Sequence, residues 1–494
     1  MKRGYKKFIK WVFIILFMNK KTKQEIKEKK ETKKEGSFPI KIGLEIHGYL
    51  DTNEKLFCKC KNSSTEKPNS QICPICTGQP GSKPMLPNKE AMNQLLKISL
   101  VLNCKINSDK NLVWQRKHYS WPDLPKGYQN TISGAHLEFP AVKGRFKGIN
   151  ITECHLEEDP AKYDPATGTV DYNRSGLPLI EIVTDPDFHS SEQVLEWLKS
   201  LIHYLSYIKA IKKSGGIKVD TNVSTYGDRV EIKNLNSLEN IKNAIEYEVK
   251  RQIENHENGI VQRRETLTFD AVKGKTIKMR DKEAAEDYRF IPDPDLPIIK
   301  LDVKKINQLK ANLPENPDEK LEKLIKEYKI DKADAEILTK NIELVEFFEE
   351  MAKEKINLKN NISWITIELL RILNYNKKTL EDEDLDIKPE HLAEIIKAVD
   401  ASEITPLKAK QIMNEFIPKS FSIKSKSGDF AKISNTGDIE TFCKTAIEQN
   451  KKVVDDFNSG KQEALNFLIG VVMKLSSRRA DYKTAKDCLL KILK

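Results

Sequence analysis

Carboxylates embedded in aliphatic runs are the residues of this sequence best placed to do chemistry. Glu45 and His47 stand two apart in Gly43-Leu44-Glu45-Ile46-His47. Glu181 lies inside Leu179-Ile180-Glu181-Ile182-Val183, and Glu157, Glu158 and Asp159 follow His155-Leu156. A carboxylate moved from water into apolar surroundings is costly unless a cation meets it. Asp220 in Asp220-Thr221-Asn222-Val223 and Glu231 in Glu231-Ile232-Lys233-Asn234-Leu235 repeat the pattern. Side chains two apart on a strand share a face, so such acids on neighbouring strands would form one cation-binding floor. A Mg²⁺ bridging the phosphates of a nucleotide suits that floor. For residues 157–159 alone, a solvated turn is the competing reading.

Cys58, Cys60, Cys73 and Cys76 form a second constellation, C-x-C and C-x2-C with twelve residues between. Thiolates on two short turns can close a tetrahedral, non-catalytic Zn²⁺ site. Two unrelated pairs or a redox pair are the alternatives. Cys104, Cys154, Cys443 and Cys488 are scattered, as buried small hydrophobes in a reducing, cytoplasmic protein would be.

Cations for phosphates have several sources. Residues 116–128 mix Arg116, Lys117, Lys126 and the aromatics Tyr119, Trp121 and Tyr128 with turn residues. Such a stretch can hold phosphates and stack a base or ribose. Lys233, Arg280 and Arg289 are further candidates, although for the two arginines composition alone favours a charged helix face. Gly274-Lys275-Thr276 ends like a phosphate-binding loop, but position 269, where its first glycine belongs, is Phe269. The sequence has neither a G-x-S-x-G elbow nor a Ser-Ser-Lys amidase pattern, so no glutaminase is read in it.

The elements that must position these residues divide by texture. Residues 40–46, 149–154, 179–184, 217–223 and 230–233 read as strands. Residues 191–210 and 237–256 read as amphipathic helices, with Val194, Leu195, Leu198, Leu201, Ile202 and Leu205 at helical spacing. Prolines 292, 294 and 297 make an extended exit. From residue 313 the pattern is helical, and a second break falls at 401–406. The N-terminal arm, residues 1–37, is basic: its first 36 residues hold 13 Lys/Arg against 4 Glu, so +9 of the net +11 sits there. The nearly neutral remainder carries no general attraction to nucleic acid. Residues 11–18 are apolar but too few for a span of about 20 residues. Asn19-Lys20-Lys21 follows them instead of a small-residue cleavage site. The segment reads as an upstream extension, with Met18 an alternative start, and the rest of the arm as a solvated Lys/Glu-rich stretch.

Taken together these strings resemble the B-type subunit of the aspartyl/glutamyl-tRNA amidotransferases. The resemblance rests on Gly43 to His47, residues 116–129, residues 155–162, Asp171-Tyr172-Asn173-Arg174-Ser175-Gly176-Leu177-Pro178, residues 231–237, residues 287–297 and residues 460–470, in that order along 38–494. It implies an α+β fold: a mixed-sheet, cradle-like catalytic domain over 38–312, a helical linker over 313–400 and a tRNA-binding helical tail over 401–494. It implies an ATP- and Mg²⁺-dependent ligase. The side-chain carboxylate of a misacylated Asp-tRNA(Asn) or Glu-tRNA(Gln) would be phosphorylated, then amidated by ammonia from a separate glutaminase subunit. A small third subunit would complete a heterotrimer. By position the resemblance carries the metal and phosphate floor onto Glu45, His47, Glu158, Glu181, Asp220 and Glu231, and a phosphate or channel contact onto Lys117. Lys218, Asn130-Thr131 and residues 290–293 depart from the family's usual strings. No inserted domain interrupts residues 270–330, unlike the archaeal glutamate-specific paralogue. A partner-activated tRNA-binding scaffold and a stand-alone ligase using free ammonia remain open from the residues alone.

Overall fold

The structure is a computed structural model that describes residues 39–63, 67–119, 121–133, 137–212, 217–281, 289–382, 384–426, 430–433 and 435–493. The arm over 1–37 lies outside these residues. The described chain forms two compact units, one reaching Leu313 without Ser206–Ile208, the other Pro314–Lys494 with those three residues.

The first unit is built on β1 (Lys41–Tyr49), β2 (Lys105–Ile106), β3 (Gln115–His118), β4 (Tyr128–Thr131), β5 (Ala141–Phe146), β6 (Ile149–Glu158), β7 (Lys162–Asp164), β8 (Thr169–Asp171), β9 (Pro178–Thr184), β10 (Ile217–Ser224), β11 (Val230–Leu235), β12 (Glu265–Asp270), β13 (Lys275–Asp281) and β14 (Ile291–Pro292). Twelve of these form one sheet, ordered β13-β12-β11-β10-β1-β9-β6-β4-β3-β14, with β5 and β2 branching from β6; β7 and β8 pair separately. Only β11 and β12 run parallel, so the sheet is mixed. The apolar runs of the sequence coincide with β1, β9, β10 and β11. β6 extends to Glu158, four residues past its apolar part, because one of its faces is lined by acids rather than aliphatics.

Alternation splits the sheet into two unlike faces. Leu44 and Ile46 of β1, Ile180 and Ile182 of β9, Leu156 of β6 and Val219 of β10 are buried on one of them. Helices α1 (Lys89–Val101), α2 (Ser191–Tyr207, up to Leu205) and α3 (Leu238–Glu257) belong to this unit, and α1 packs on β5 and β6 while α3 packs on β10 and β11. Their inward residues include Leu95, Ile98, Val194, Leu198, Leu201, Ile241 and Ile245, all nearly inaccessible. Trp197 meets Phe146 and Phe188 edge-on, and its indole N–H donates to the Phe146 carbonyl at 2.8 Å. Asn88 and Ser237 cap α1 and α3 by accepting from backbone N–H groups of the first turn. This apolar layer fixes the register of every strand, since a slip of one residue would turn its aliphatics outward.

The second unit is helical. One apolar core gathers residues between Leu324 and Phe430, and another gathers residues between Ile439 and Leu489. Ile404, Ala409, Ile412, Met413 and Phe416 belong to the first core, so the sequence break expected at 401 falls inside it. No helix among the described residues is long and apolar enough to cross a membrane.

The cysteine turn buttresses the loop between β3 and β4. Gly78 has φ +63°, and a Cβ there would lie 2.8 Å from the carbonyl carbon and oxygen of Pro125. Gly78→Ala should therefore lower stability by about 1–3 kcal/mol through backbone strain and clash. A lowered urea midpoint checks this, and an unchanged midpoint would mean the turn and loop do not lean on each other.

Candidate active site

The face of the sheet opposite the aliphatic one carries the acids. Cross-strand pairing places Glu45 beside Asp220, His47 beside Lys218 and Glu181, His155 beside Glu181, Thr131 beside Glu157, and Lys117 beside Gln129. Directly opposed residues of antiparallel strands point the same way. A polar band therefore runs unbroken across β3, β4, β6, β9, β1, β10 and β11. At its far end the β10–β11 pairing is irregular next to Asp220, and Asn234 takes φ +61°. That kink brings the Asn234 N–H to Asp220 Oδ1 at 2.8 Å and the Lys233 ammonium to Asp220 Oδ2 at 2.7 Å.

The band holds two groups with metal-ligand chemistry. His47, Glu157 and Glu181 form one, and Glu45, Asp220 and Glu231 the other; within each, the donor atoms lie within 4.8 Å of one another. Members of both line one pocket of about 500 Å³, together with Lys117, Tyr119, Gln129 and Lys233. Its other lining cations, Arg174 and Lys218, flank Asp159, whose carboxylate also accepts from the Tyr49 hydroxyl at 2.7 Å. A pocket of this size suits a nucleotide or a substrate side chain. Several oriented donors are already in place: Gln129 Nε2 donates to Glu157 at 3.0 Å, and Asn222 Nδ2 to Glu45 at 3.0 Å. Oxygen-rich groups with one imidazole fit a hard divalent cation.

Burial and neighbouring charges act on these acids in opposite directions. Burial pushes the Glu45 carboxyl up, and Glu181 and Glu231 push it further. Burial also works against ionised Glu181, yet His155, His47 and Lys117 outweigh it and hold that carboxyl well below the usual range. His155 is almost inaccessible, with its ring nitrogens 3.3 Å from Glu181 and 3.7 Å from Glu153 and Glu157. Burial opposes its protonation, but Glu181 and Glu157 prevail and raise it to about 10. Glu153 rises to about 7, mainly through burial.

Of the residues singled out in the sequence, Glu45, His47, Lys117, Tyr119, Glu181, Asp220, Glu231 and Lys233 come together here. Glu158 does not. It is the next residue along β6 from Glu157 and so points to the other face, where it accepts from the Lys126 ammonium and from the Asn130 N–H at 2.9 Å. Glu157 takes the floor position instead. Arg116, Lys126 and Tyr128 are likewise outside the pocket lining. The Arg116 guanidinium is held by Asp293 at 2.9 and 3.1 Å and by Asp295 at 3.2 Å, with the Tyr128 ring 4.5 Å away. Lys126 lies over the same ring. Arg289 is exposed, its carbonyl 3.0 Å from His118 Nδ1. The Arg280 side chain lies outside the described residues. His155, Glu153, Arg174 and Lys218 are additions that the sequence reading does not place in the site. Strand alternation continued along β6, from Glu153 through His155 to Glu157, is the signal that finds the first two.

The four cysteines also converge. Sγ atoms of Cys58, Cys60, Cys73 and Cys76 lie within 4.8 Å of one another. Cys76 is lowered to about 5 by the Cys58 thiol, assisted by the Cys73 N–H and the Lys55 ammonium. The Ser175 hydroxyl donates to the Cys76 carbonyl at 2.7 Å, tying the turn to the segment that carries Arg174. Four convergent thiols fit a soft tetrahedral ion.

Residues 40–307 match the family model described as the GatB/GatE catalytic domain, and residues 346–493 match the one described as the GatB domain. The chain is 41% identical over 471 residues to the B-type subunit of the aspartyl/glutamyl-tRNA(Asn/Gln) amidotransferase of Methanococcus maripaludis strain C5, covering 92% of this chain and 98% of that one. The protein of the same name from Methanocaldococcus jannaschii is 40% identical over 464 residues, covering 91% and 97%. That from Methanopyrus kandleri is 40% identical over 450 residues, covering 90% and 96%.

Glu153 gives the site a measurable pH signature. Its carboxyl titrates near 7 in the folded chain, above its ordinary 4.5. The folded state thus holds this proton more tightly, and stability falls as pH rises from about 4.5 to about 7. Without divalent cations, Glu153→Gln should raise stability at pH 8 by about 1–3 kcal/mol and leave it unchanged below pH 4.5. Denaturant unfolding at the two pH values checks this; an equal effect at both would contradict it.

Proposed function

The chain belongs to the B-type family of aspartyl/glutamyl-tRNA(Asn/Gln) amidotransferase subunits, and on that premise we propose that the acidic pocket of its first unit activates the carboxylate to be amidated. The chain works in a tRNA-dependent amidotransferase, a ligase that forms a carbon–nitrogen bond with glutamine as amido donor. The observation that carries the site assignment is the convergence of His47, Glu157 and Glu181 with Glu45, Asp220 and Glu231 around one pocket.

The chemistry demands activation. A side-chain carboxylate resists ammonia because its oxygen is a poor leaving group. Transfer of the γ-phosphoryl group of ATP to that oxygen makes an acyl phosphate and releases ADP. Ammonia then adds to the acyl carbon, and phosphate departs as the amide forms. Mg²⁺, when bound, neutralises charge on the phosphoryl oxygens. His47, Glu157, Glu181, Glu45, Asp220 and Glu231 would hold it. Lys117, close enough to act on Glu181, supplies a positive charge to the same phosphoryl group. Arg174 and Lys218, anchored on Asp159, would receive an anionic part of the substrate in the same pocket. His155 helps keep Glu181 ionised.

The remaining parts follow the same reading. The four cysteines would hold a structural Zn²⁺ that stiffens the turns around the pocket. A separate glutaminase and a small third subunit would complete the enzyme. The helices of the core between Leu324 and Phe430 would act as a linker, and those between Ile439 and Leu489 would grip the misacylated tRNA.

ADP formation by the chain with its glutaminase partner, Mg²⁺ and ATP should depend on Glu-tRNA(Gln) or Asp-tRNA(Asn), offered separately. Glu181→Gln should lower that ADP formation by at least about a hundredfold, as loss of electrostatic stabilisation does, and leave tRNA affinity within about twofold. ADP formation that ignores both tRNAs, or a Glu181→Gln chain that amidates normally with ammonium, would remove the kinase role from this pocket.

A further inference from the structure

Lys233 occupies an unusual place among the pocket's cations. Its ammonium lies 2.7 Å from Asp220 Oδ2 and 2.7 Å from Glu231 Oε1. These two carboxylates and Glu45 make up one of the two metal-ligand groups. Both partners are deeply buried, whereas about a quarter of the Lys233 side chain is exposed toward the pocket that it lines. Three acids this close would repel one another strongly in a partly dry site. The ammonium offsets that repulsion in the structure as it stands.

A Mg²⁺ ion sits about 2.0–2.1 Å from its oxygen ligands. An ion bound through Asp220 Oδ2 and Glu231 Oε1 would fall against the present ammonium position. The two cations cannot share these oxygens, and only one of them is tethered to a flexible four-carbon stem. Asp220 Oδ1 would stay held by the Asn234 N–H, and Glu45 by Asn222, while the lysine left.

We propose that Lys233 is a tethered stand-in cation: it holds Glu45, Asp220 and Glu231 together in the metal-free pocket and yields Asp220 and Glu231 to a divalent ion. Its ammonium then swings into the pocket, where it meets the phosphate that arrives with that ion. The carboxylate group is thus never left without a counter-charge, and one positive charge is delivered to the phosphate only after the metal has bound. The scheme rests on the metal-assisted reading of the pocket but is separable from it.

Mn²⁺ titration of the full-length chain without nucleotide or tRNA, followed by electron paramagnetic resonance, tests the exchange. Lys233→Met should tighten one class of Mn²⁺ site by roughly tenfold or more, since a competing unit charge at contact distance is gone. Lys233→Arg, which keeps the charge, should stay near the wild-type affinity, and Asp220→Asn in the Lys233→Met background should abolish the gain. Equal Mn²⁺ affinity in the wild type and Lys233→Met would overturn the exchange, as would weaker binding in Lys233→Met or no Mn²⁺ bound by any of them. tRNA-dependent ADP formation by the wild type, measured beside it, reports on the kinase reading alone. A kinase-active chain with unaltered Mn²⁺ binding would sink the role of Lys233 and leave the function standing.

Discussion

Carboxylates crowded on one half-dry sheet face must be neutralised, and the rest of the first unit is arranged around that requirement. Glu45, Glu153, Glu157, Glu181, Asp220 and Glu231 share one polar band. Left to themselves such acids would take up protons, as Glu153 does near pH 7. Built-in cations sit among the others, and they hold Glu181 low. His155 lies among the central carboxylates, which favour its protonated form, and Lys233 bridges the two at the edge. Neither completes the charge balance, which is what prepares the pocket for an external cation and for the phosphates that accompany it.

That arrangement is tolerable because the opposite face is plain hydrophobic structure. Aliphatics of β1, β6, β9 and β10 are buried on that side, and this unit's helices bring their own buried aliphatic stripes. This layer supplies the stability that the polar face gives up, and it fixes strand register within one residue. Register in turn decides which acids meet, since His47 faces Glu181 only while the pairing of β1 and β9 holds. The cysteine turn works on the remaining side. It packs on Pro125 through Gly78 and on the 174–177 turn through Ser175, so the segments bearing Asp123 and Arg174 are braced from outside the sheet.

Much of this was legible from residue order. Strands with intact aliphatic alternation, such as β9 with its lone Glu181, announce both their structure and their chemistry. The cysteine spacing likewise announced that the four thiols would converge. β6 was legible only to Cys154, because beyond it one face is acidic and the pattern no longer looks like a strand. That hid the alternation of Glu157 and Glu158 and shifted the floor assignment by one residue. Within residues 116–128, Lys117 and Tyr119 do line the pocket, and the others misled for a related reason. Their cations and aromatics suggested a phosphate loop, but Arg116 and Tyr128 lie on short strands with their side chains turned from the pocket, and Arg116 is satisfied by Asp293, 177 positions away. Pairing over that distance leaves no trace in local composition.

The central claim is that the substrate's side-chain carboxylate passes through a phosphorylated form in this pocket. Glu-tRNA(Gln) or Asp-tRNA(Asn) carrying ¹⁸O in its side-chain carboxylate tests it, with mass analysis of the phosphate released during amidation. The account predicts that each turnover transfers one carboxylate oxygen to inorganic phosphate. Amide formed at the normal rate with unlabelled phosphate would contradict it.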